Sequence, residues 1–262
     1  MEENNANSNN INRETINSVN STSFNNEENE DNEDNVEILN LPDDYQYYDL
    51  SFKIIVIGNS GVGKTCITNQ ATKLKFDECY KATVGMEFYS LSVKLNNILI
   101  KLQIWDTCGQ ETYRSLITNF YRSSSLGVMV YAIDDINSFS GLDFWIKEIK
   151  TNNSPDTKLI LVGNKKDRIN ERKVKFEEGE NYAKSNGFED FFETSAKTGE
   201  NVRKMFIKVA KILYYDYKKY KEMEINDSFS SYTASARSKR LNDKKNPKMQ
   251  KEDKKNKSKK CC

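Results

Sequence analysis

The octapeptide Gly58-Asn59-Ser60-Gly61-Val62-Gly63-Lys64-Thr65 constrains this chain more than any other stretch. An apolar run, Phe52 to Ile57, precedes it and reads as a buried strand. Cys66 to Leu74, without Gly or Pro, comes after it and reads as a helix. Strand, glycine-rich loop and helix in that order form the setting that the phosphate-cradling pattern GxxxxGK[ST] needs. Glycines let the backbone wrap closely round phosphate oxygens, and successive N–H groups point at the anion. The helix N-terminus adds its partial positive charge. In that setting Lys64 reaches the outer phosphates and the Thr65 hydroxyl ligates Mg²⁺.

Composition divides the chain of 262 residues into a head, a middle and a tail. Residues 1–48 are rich in Asn, Ser, Glu and Asp, and the chain beyond Ser228 is rich in Lys, Ser and Asn. Neither end buries enough apolar surface to offset chain entropy, so disorder is expected over 1–48 and 221–262, with one folded domain over 49–220. Within the head, the apolar cluster Val36 to Leu41 reads as a solvated linker in preference to a docking segment. The net charge of +1 sums an acidic head and a basic tail and says nothing of partners. The N-terminus lacks the apolar core of a signal peptide, and no apolar run approaches a membrane span. The five cysteines, Cys66, Cys79, Cys108, Cys261 and Cys262, have no metal-ligand spacing, and the absence of histidine removes His-based chemistry.

Along the middle, Met86 to Leu95 and Ile98 to Trp105 flank the turn signal Asn96-Asn97 and predict a hairpin. A short helix is expected near 112–122, an apolar strand over Leu126 to Ile133, and a helix over Ser138 to Lys150. A strand at Leu159 to Val162, a helix over Phe176 to Ser185, a short strand at Phe191-Phe192 and a last helix over Asn201 to Tyr217 complete the series. Strands alternating with helices argue for a mostly parallel sheet covered on both faces, with one antiparallel arm. In such sheets ligands bind beyond the carboxyl ends of the strands, where every motif here falls.

Two of those strand ends carry further chemistry. Asp106 closes a strand and is placed to hold Mg²⁺, directly or through water, opposite the phosphate loop. Gly109 lets the backbone approach a terminal phosphate, and Gln110 can orient an attacking water; without the phosphate loop they would read as a cap and a surface residue. Asn164-Lys165-Lys166-Asp167 comes after another strand. The Asp167 carboxylate can accept two hydrogen bonds from guanine that adenine cannot supply, and the Lys165 stem can lie along the base.

GNSGVGKT, ATVGMEF, WDTCGQE, GNKKD and ETSAK occur in the order and spacing of the Ras superfamily of small GTPases, and this chain resembles that family over about Ser51 to Tyr217. KLQIWDT, YRSL and the terminal Cys-Cys resemble the Rabs. The resemblance implies an α/β fold of the P-loop NTPase small G domain type: a mostly parallel six-stranded sheet with one antiparallel strand and helices on both faces. It implies a monomeric G domain that binds GTP or GDP with Mg²⁺ and hydrolyses GTP slowly. Ser60, Gly61, Val62, Gly63, Lys64, Thr65 and Cys66 would cradle the phosphates. Thr83 would ligate Mg²⁺ beside Thr65 and Asp106 (the last through water) and sense the γ-phosphate together with Gly109. Lys64, Thr83, Gly109 and Gln110 would form the catalytic set. Phe76 would pack on guanine, and Asn164, Lys165, Asp167, Ser195, Ala196 and Lys197 would form its pocket, with the Ala196 N–H reaching the base O6. Met86, Glu87, Phe88, Trp105 and Tyr121 match positions where Rab effectors read the state, and serve equally as core or sheet residues. Asn59, Met86, Cys108, Ser123 and Ala132 depart from the usual Rab residues.

The basic run from Arg237 to Lys260 ends in Cys261-Cys262, which resembles the double geranylgeranylation signal of Rabs. Two lipid chains beside a polybasic segment anchor firmly, whereas one chain binds marginally. No aromatic residues interleave with these bases, which argues against nucleic acid. The expectation is a prenylated vesicle-trafficking switch on the cytoplasmic face of an intracellular membrane, cycling with the cytosol. Its partners would be an exchange factor, an activating protein, effectors and a prenyl-binding extraction protein. The alternatives are a GTP-binding scaffold with negligible hydrolysis, opposed by Gln110, and an ATP phosphotransferase, opposed by Asn164-Lys165-Lys166-Asp167.

Overall fold

The computed structural model describes residues 34–42, 44–78, 83, 85–109, 121–154 and 157–245, with side chains as far as 225. The chain divides into the units Met1–Asp34 and Asn35–Cys262, and every described helix and strand belongs to the second. These elements run β1 (Val36–Leu39), β2 (Leu50–Ile57), α1 (Lys64–Lys73), β3 (Met86–Leu95), β4 (Ile98–Thr107) and β5 (Leu126–Ala132). Then come α2 (Ile136–Ser140), α3 (Leu142–Asn152), β6 (Lys158–Asn164), a 3₁₀ turn (Lys166–Glu171), α4 (Phe176–Asn186), β7 (Asp190–Glu193) and α5 (Val202–Lys245). The strands form one sheet in the order β1-β3-β4-β2-β5-β6-β7. Strands β4, β2, β5, β6 and β7 are parallel, while β3 is antiparallel to both β4 and β1.

Alternation along the central strand builds two cores. Ile54 and Val56 of β2 face a cluster with Ile67 of α1 and Phe206 and Val209 of α5. Ile55 and Ile57 face the opposite side, against Leu142, Trp145 and Ile149 of α3. These side chains are fully or almost fully buried, and each contributes about 2 kcal/mol of transfer free energy. In the helix expected over Ser138 to Lys150, Leu142, Trp145, Ile146 and Ile149 are buried and Phe139 partly so, but the segment is two helices meeting at Gly141. The hairpin turns at Asn96, whose φ of 55° suits an asparagine. α4 starts where the Glu178 carboxylate accepts the Lys175 N–H at 2.7 Å.

Two expectations change. Among the described residues the sheet has seven strands, not six, because Val36–Leu39, within the head expected to be disordered and read as a linker, pairs with Ser92–Leu95 of β3. Asn35 and Asn96 clamp the start of this pairing: Asn96 N–H donates to Asn35 O at 2.7 Å, and Asn35 N–H to Asn96 Oδ1 at 3.0 Å. Val36 and Ile38 pack against the first core, so alternation, not propensity, recruits the strand. The last helix runs to Lys245, well past Tyr217 and into the segment expected to be disordered from 221. The helix expected near 112–122 lies almost wholly outside the described residues, as do Cys79, Gln110, Cys261 and Cys262.

The chain moves from β2 to one side of the sheet, then crosses back over it to β5. That reversal opens a crevice at the carboxyl ends of the parallel strands, the usual ligand site of such sheets.

Candidate nucleotide site

A cleft of about 640 Å³ opens at that crevice. The glycine-rich loop forms its floor, with Gly58, Gly61 and Gly63 all at positive φ, where side chains are strained. Ser60, Gly61, Gly63, Lys64, Thr65 and Cys66 line it, while Val62 is buried beneath. Lys64 is buried, and its Nζ donates to the carbonyls of Gly58 and Asn59, both at 2.8 Å. Burial lowers its pKa to about 8, against the opposing pull of Asp106. A cation so desolvated gains most from an anion brought beside it.

Three oxygens meet at the next position. Thr65 Oγ1 lies 2.7 Å from Thr83 Oγ1 and donates to Asp106 Oδ2 at 2.5 Å. Asp106 is fully buried at the end of β4, and its other oxygen, Oδ1, has no hydrogen-bond partner among the described residues. Burial raises its pKa to about 6, with Thr65 and Lys64 pulling the other way. A buried carboxylate with an orphaned oxygen, beside two hydroxyls, is a hard oxygen donor set that fits Mg²⁺. Gly109 closes against the loop: a Cβ there would fall 2.5 Å from Lys64 Nζ and from the Ser60 nitrogen.

At the far end, Phe76, Lys165, Asp167, Ala196 and Lys197 line the same cleft. Asp167 is held by Ser195, whose buried hydroxyl donates to Asp167 Oδ1 at 2.6 Å and fixes the carboxylate at the cleft wall. Lys165 is at φ 67° and pairs with Asp134 at 3.4 Å, which aims its stem along the wall. Lys197 pairs with Glu78 at 3.2 Å.

Asn164, expected in the guanine pocket, lines the cleft and also ties its loops together. Its Nδ2 donates to Val62 O at 2.8 Å, and its Oδ1 accepts from Thr194 Oγ1 and the Ala196 N–H, both at 3.2 Å. It ties the phosphate loop to the Thr194–Ala196 loop. The Ala196 N–H, expected on the base, is therefore engaged by Asn164 and would have to be shared.

Sequence reading missed Asn69, Asp77, Glu78, Thr107 and Arg168, which also line the cleft, as does Glu87, read in sequence only as an effector or sheet position. It missed the supports as well. Arg172 grips Glu193 with two nitrogens, at 2.6 and 2.7 Å, and so anchors the strand that delivers Thr194. Asn59 Oδ1 accepts from Trp145 Nε1 at 2.7 Å, pinning the phosphate loop to α3. Each is an ordinary polar residue in sequence, and only the fold gives it a partner.

The sequence profile of the Ras family matches residues 53–215, all of the cleft-forming segments included. The chain belongs to the Ras family. It is a small GTPase of the Ras superfamily, and GTP binding and GTP hydrolysis are the activities of that group; its members typically bind Mg²⁺, which the donor set around Asp106 suits.

In this small GTPase the positions expected to face effectors differ in exposure. Phe88 is 51% exposed and stacks edge-on with Trp105 at 5.2 Å, whereas Glu87 is exposed on the opposite face of β3, at the cleft. Tyr121, the last of that set, is buried in the second core, as the core alternative has it. Cys108 is buried in the same core, a small packing residue that is not open to oxidants. Ala132, another departure from the Rab pattern, is buried too, and its N–H donates to Ser138 Oγ at 2.9 Å.

Proposed function

We propose that this small GTPase is a Rab-type switch that hydrolyses GTP slowly and recruits effectors to a vesicle or organelle membrane. The observation carrying the reading is the meeting of Thr65, Thr83 and Asp106 at one point. Thr83 comes from the loop before β3, which leads into the exposed Phe88-Trp105 face. Loss of the γ-phosphate would release Thr83 and Gly109, and with them the surface beyond.

The division of labour reflects the geometry. Lys64, the loop N–H groups and the α1 N-terminus bind and orient the phosphates. Thr65, Thr83 and Asp106 would hold Mg²⁺, which when bound supplies positive charge to the phosphate oxygens. Asp167, positioned by Ser195, would pair with guanine, with Phe76 and the Lys165 stem on the base faces. Gln110 would orient the attacking water. No arginine is assigned to stabilise the departing charge, so an activating protein would accelerate a slow intrinsic step. Prenyl groups on Cys261 and Cys262 would supply the membrane anchor, an extraction protein would return the chain to the cytosol, and an exchange factor would reload GTP.

The test is single-turnover GTP hydrolysis by the full chain with Mg²⁺, alongside Gln110→Leu. Slow hydrolysis that the variant loses is the expected result. Tight GTP binding without turnover in either protein would replace the switch with a scaffold. Detergent partitioning after prenylation, lost in Cys261→Ser/Cys262→Ser, checks the anchor.

A further inference from the structure

The second edge of the sheet carries a built slot that the nucleotide chemistry does not use. β7 is the last strand in the order, and among the described residues it pairs only with β6. Thr194 donates its N–H to Gly163 O at 2.9 Å, which by the two-residue period turns the backbone groups of Phe191 and Glu193 outward. Two of these four groups are occupied by neighbouring side chains. The Phe191 N–H donates to Asp190 Oδ1, and Glu193 O accepts from Asn201 Nδ2, both at 2.8 Å. The Phe191 carbonyl and the Glu193 N–H have no partner among the described residues.

That free pair opens into a cavity of about 260 Å³ straddling the edge. Phe176 of α4 reaches it from one face, 5.2 Å from the Phe191 ring, and Lys204 of α5 reaches it from the other. Phe191 belongs to the second core and Phe192 to the first, so the two faces of any added strand would meet different walls. Among the charged groups at the cavity, Glu193 is neutralised by Arg172, and Lys166 pairs with Glu200 at 2.5 Å. Lys204 is exposed and has no partner among the described residues, leaving the slot electropositive.

We propose that the β7 edge is a docking site for an extended peptide of another protein, with the pattern apolar–acidic–apolar. Running parallel to β7 with its acidic residue opposite Phe192, one residue engages both free groups: its N–H donates to Phe191 O and its carbonyl accepts from the Glu193 N–H. The acidic side chain then lies on the face of Phe192 and Lys204. The flanking apolar side chains lie on the face of Phe176 and Phe191.

The experiment uses the full chain and a fluorescent, end-blocked Thr-Val-Glu-Val-Thr peptide, read by anisotropy. Saturable binding is expected, weakened about tenfold by Lys204→Glu and regained by that variant with Thr-Val-Lys-Val-Thr. Methylating the backbone nitrogen of the central glutamate should abolish binding, and Phe176→Ser should weaken it. Lys204 is exposed, so its reversal leaves the fold intact, which the unchanged circular dichroism of the variant checks. No binding to the wild-type chain, or binding that ignores the charge swap or the N-methyl group, overturns the proposal. Nucleotide turnover is not part of the readout, so its failure and that of the GTPase switch are separable.

Discussion

Replacing Asp106 by Asn tests the electrostatic design of the site. Asp106 is fully buried, has one oxygen on Thr65 and one unpartnered among the described residues, and burial raises its pKa from 3.8 to about 6. The native carboxylate is thus disfavoured relative to the unfolded chain. Its cost is absent below the unfolded value, grows as pH rises from about 4 to about 6, and is complete above that, reaching about 3 kcal/mol. Asn carries no such charge, while the fixed cost of its own amide hydrogens does not vary with pH. In the metal-free, nucleotide-free protein, the stability of Asp106→Asn relative to wild type should therefore rise by about 2 kcal/mol between pH 4 and pH 7. Urea unfolding in the presence of a chelator, at half-unit pH steps, measures this difference, and titrations common to both proteins cancel. Restricting the range to below pH 7 keeps Lys64 charged, since its own pKa is about 8. With GTP and Mg²⁺ the order should invert, the variant losing magnesium-dependent retention. A stability difference flat across the range would falsify the buried, metal-awaiting carboxylate.

Asn164→Ala removes the tie between two loops and should cost about 3 kcal/mol, read as GDP release about a hundredfold faster. Arg172→Met strands Glu193, whose side chain is only 4% exposed, and should cost about 3–5 kcal/mol in urea unfolding. Arg172→Met/Glu193→Leu should recover most of that loss; a double variant no better than the single would refute the pairing argument. Ile38→Asp should detach β1 and lower unfolding free energy by about 2 kcal/mol. GDP affinity should be unaffected, because β1 pairs with the end of β3 remote from Thr83.

The order of motifs, the alternation of β2 and the helical spacing of Leu142, Trp145, Ile146 and Ile149 were all legible in the chain. Local periodicity reports which face of an element is buried, and the motifs mark strand ends, so the cleft could be placed from the sequence alone. Gly58-Asn59-Ser60-Gly61-Val62-Gly63-Lys64-Thr65 carries its own geometry, because glycine tolerance and a helix start are local properties. The supports were not legible. Asn164 meets Val62 across 102 residues of sequence and Trp145 meets Asn59 across 86, and nothing in a single polar residue names a partner at that distance. Tyr121 illustrates the same limit, since one aromatic residue suits a surface or a core, and only packing in the second core decides between them. Val36–Leu39 is the clearest case. Four residues are too few to declare a strand, because an isolated strand gains nothing until an edge accepts it. The edge was supplied by β3, and pairing there with Ser92–Leu95 satisfied backbone groups that neither segment could satisfy alone.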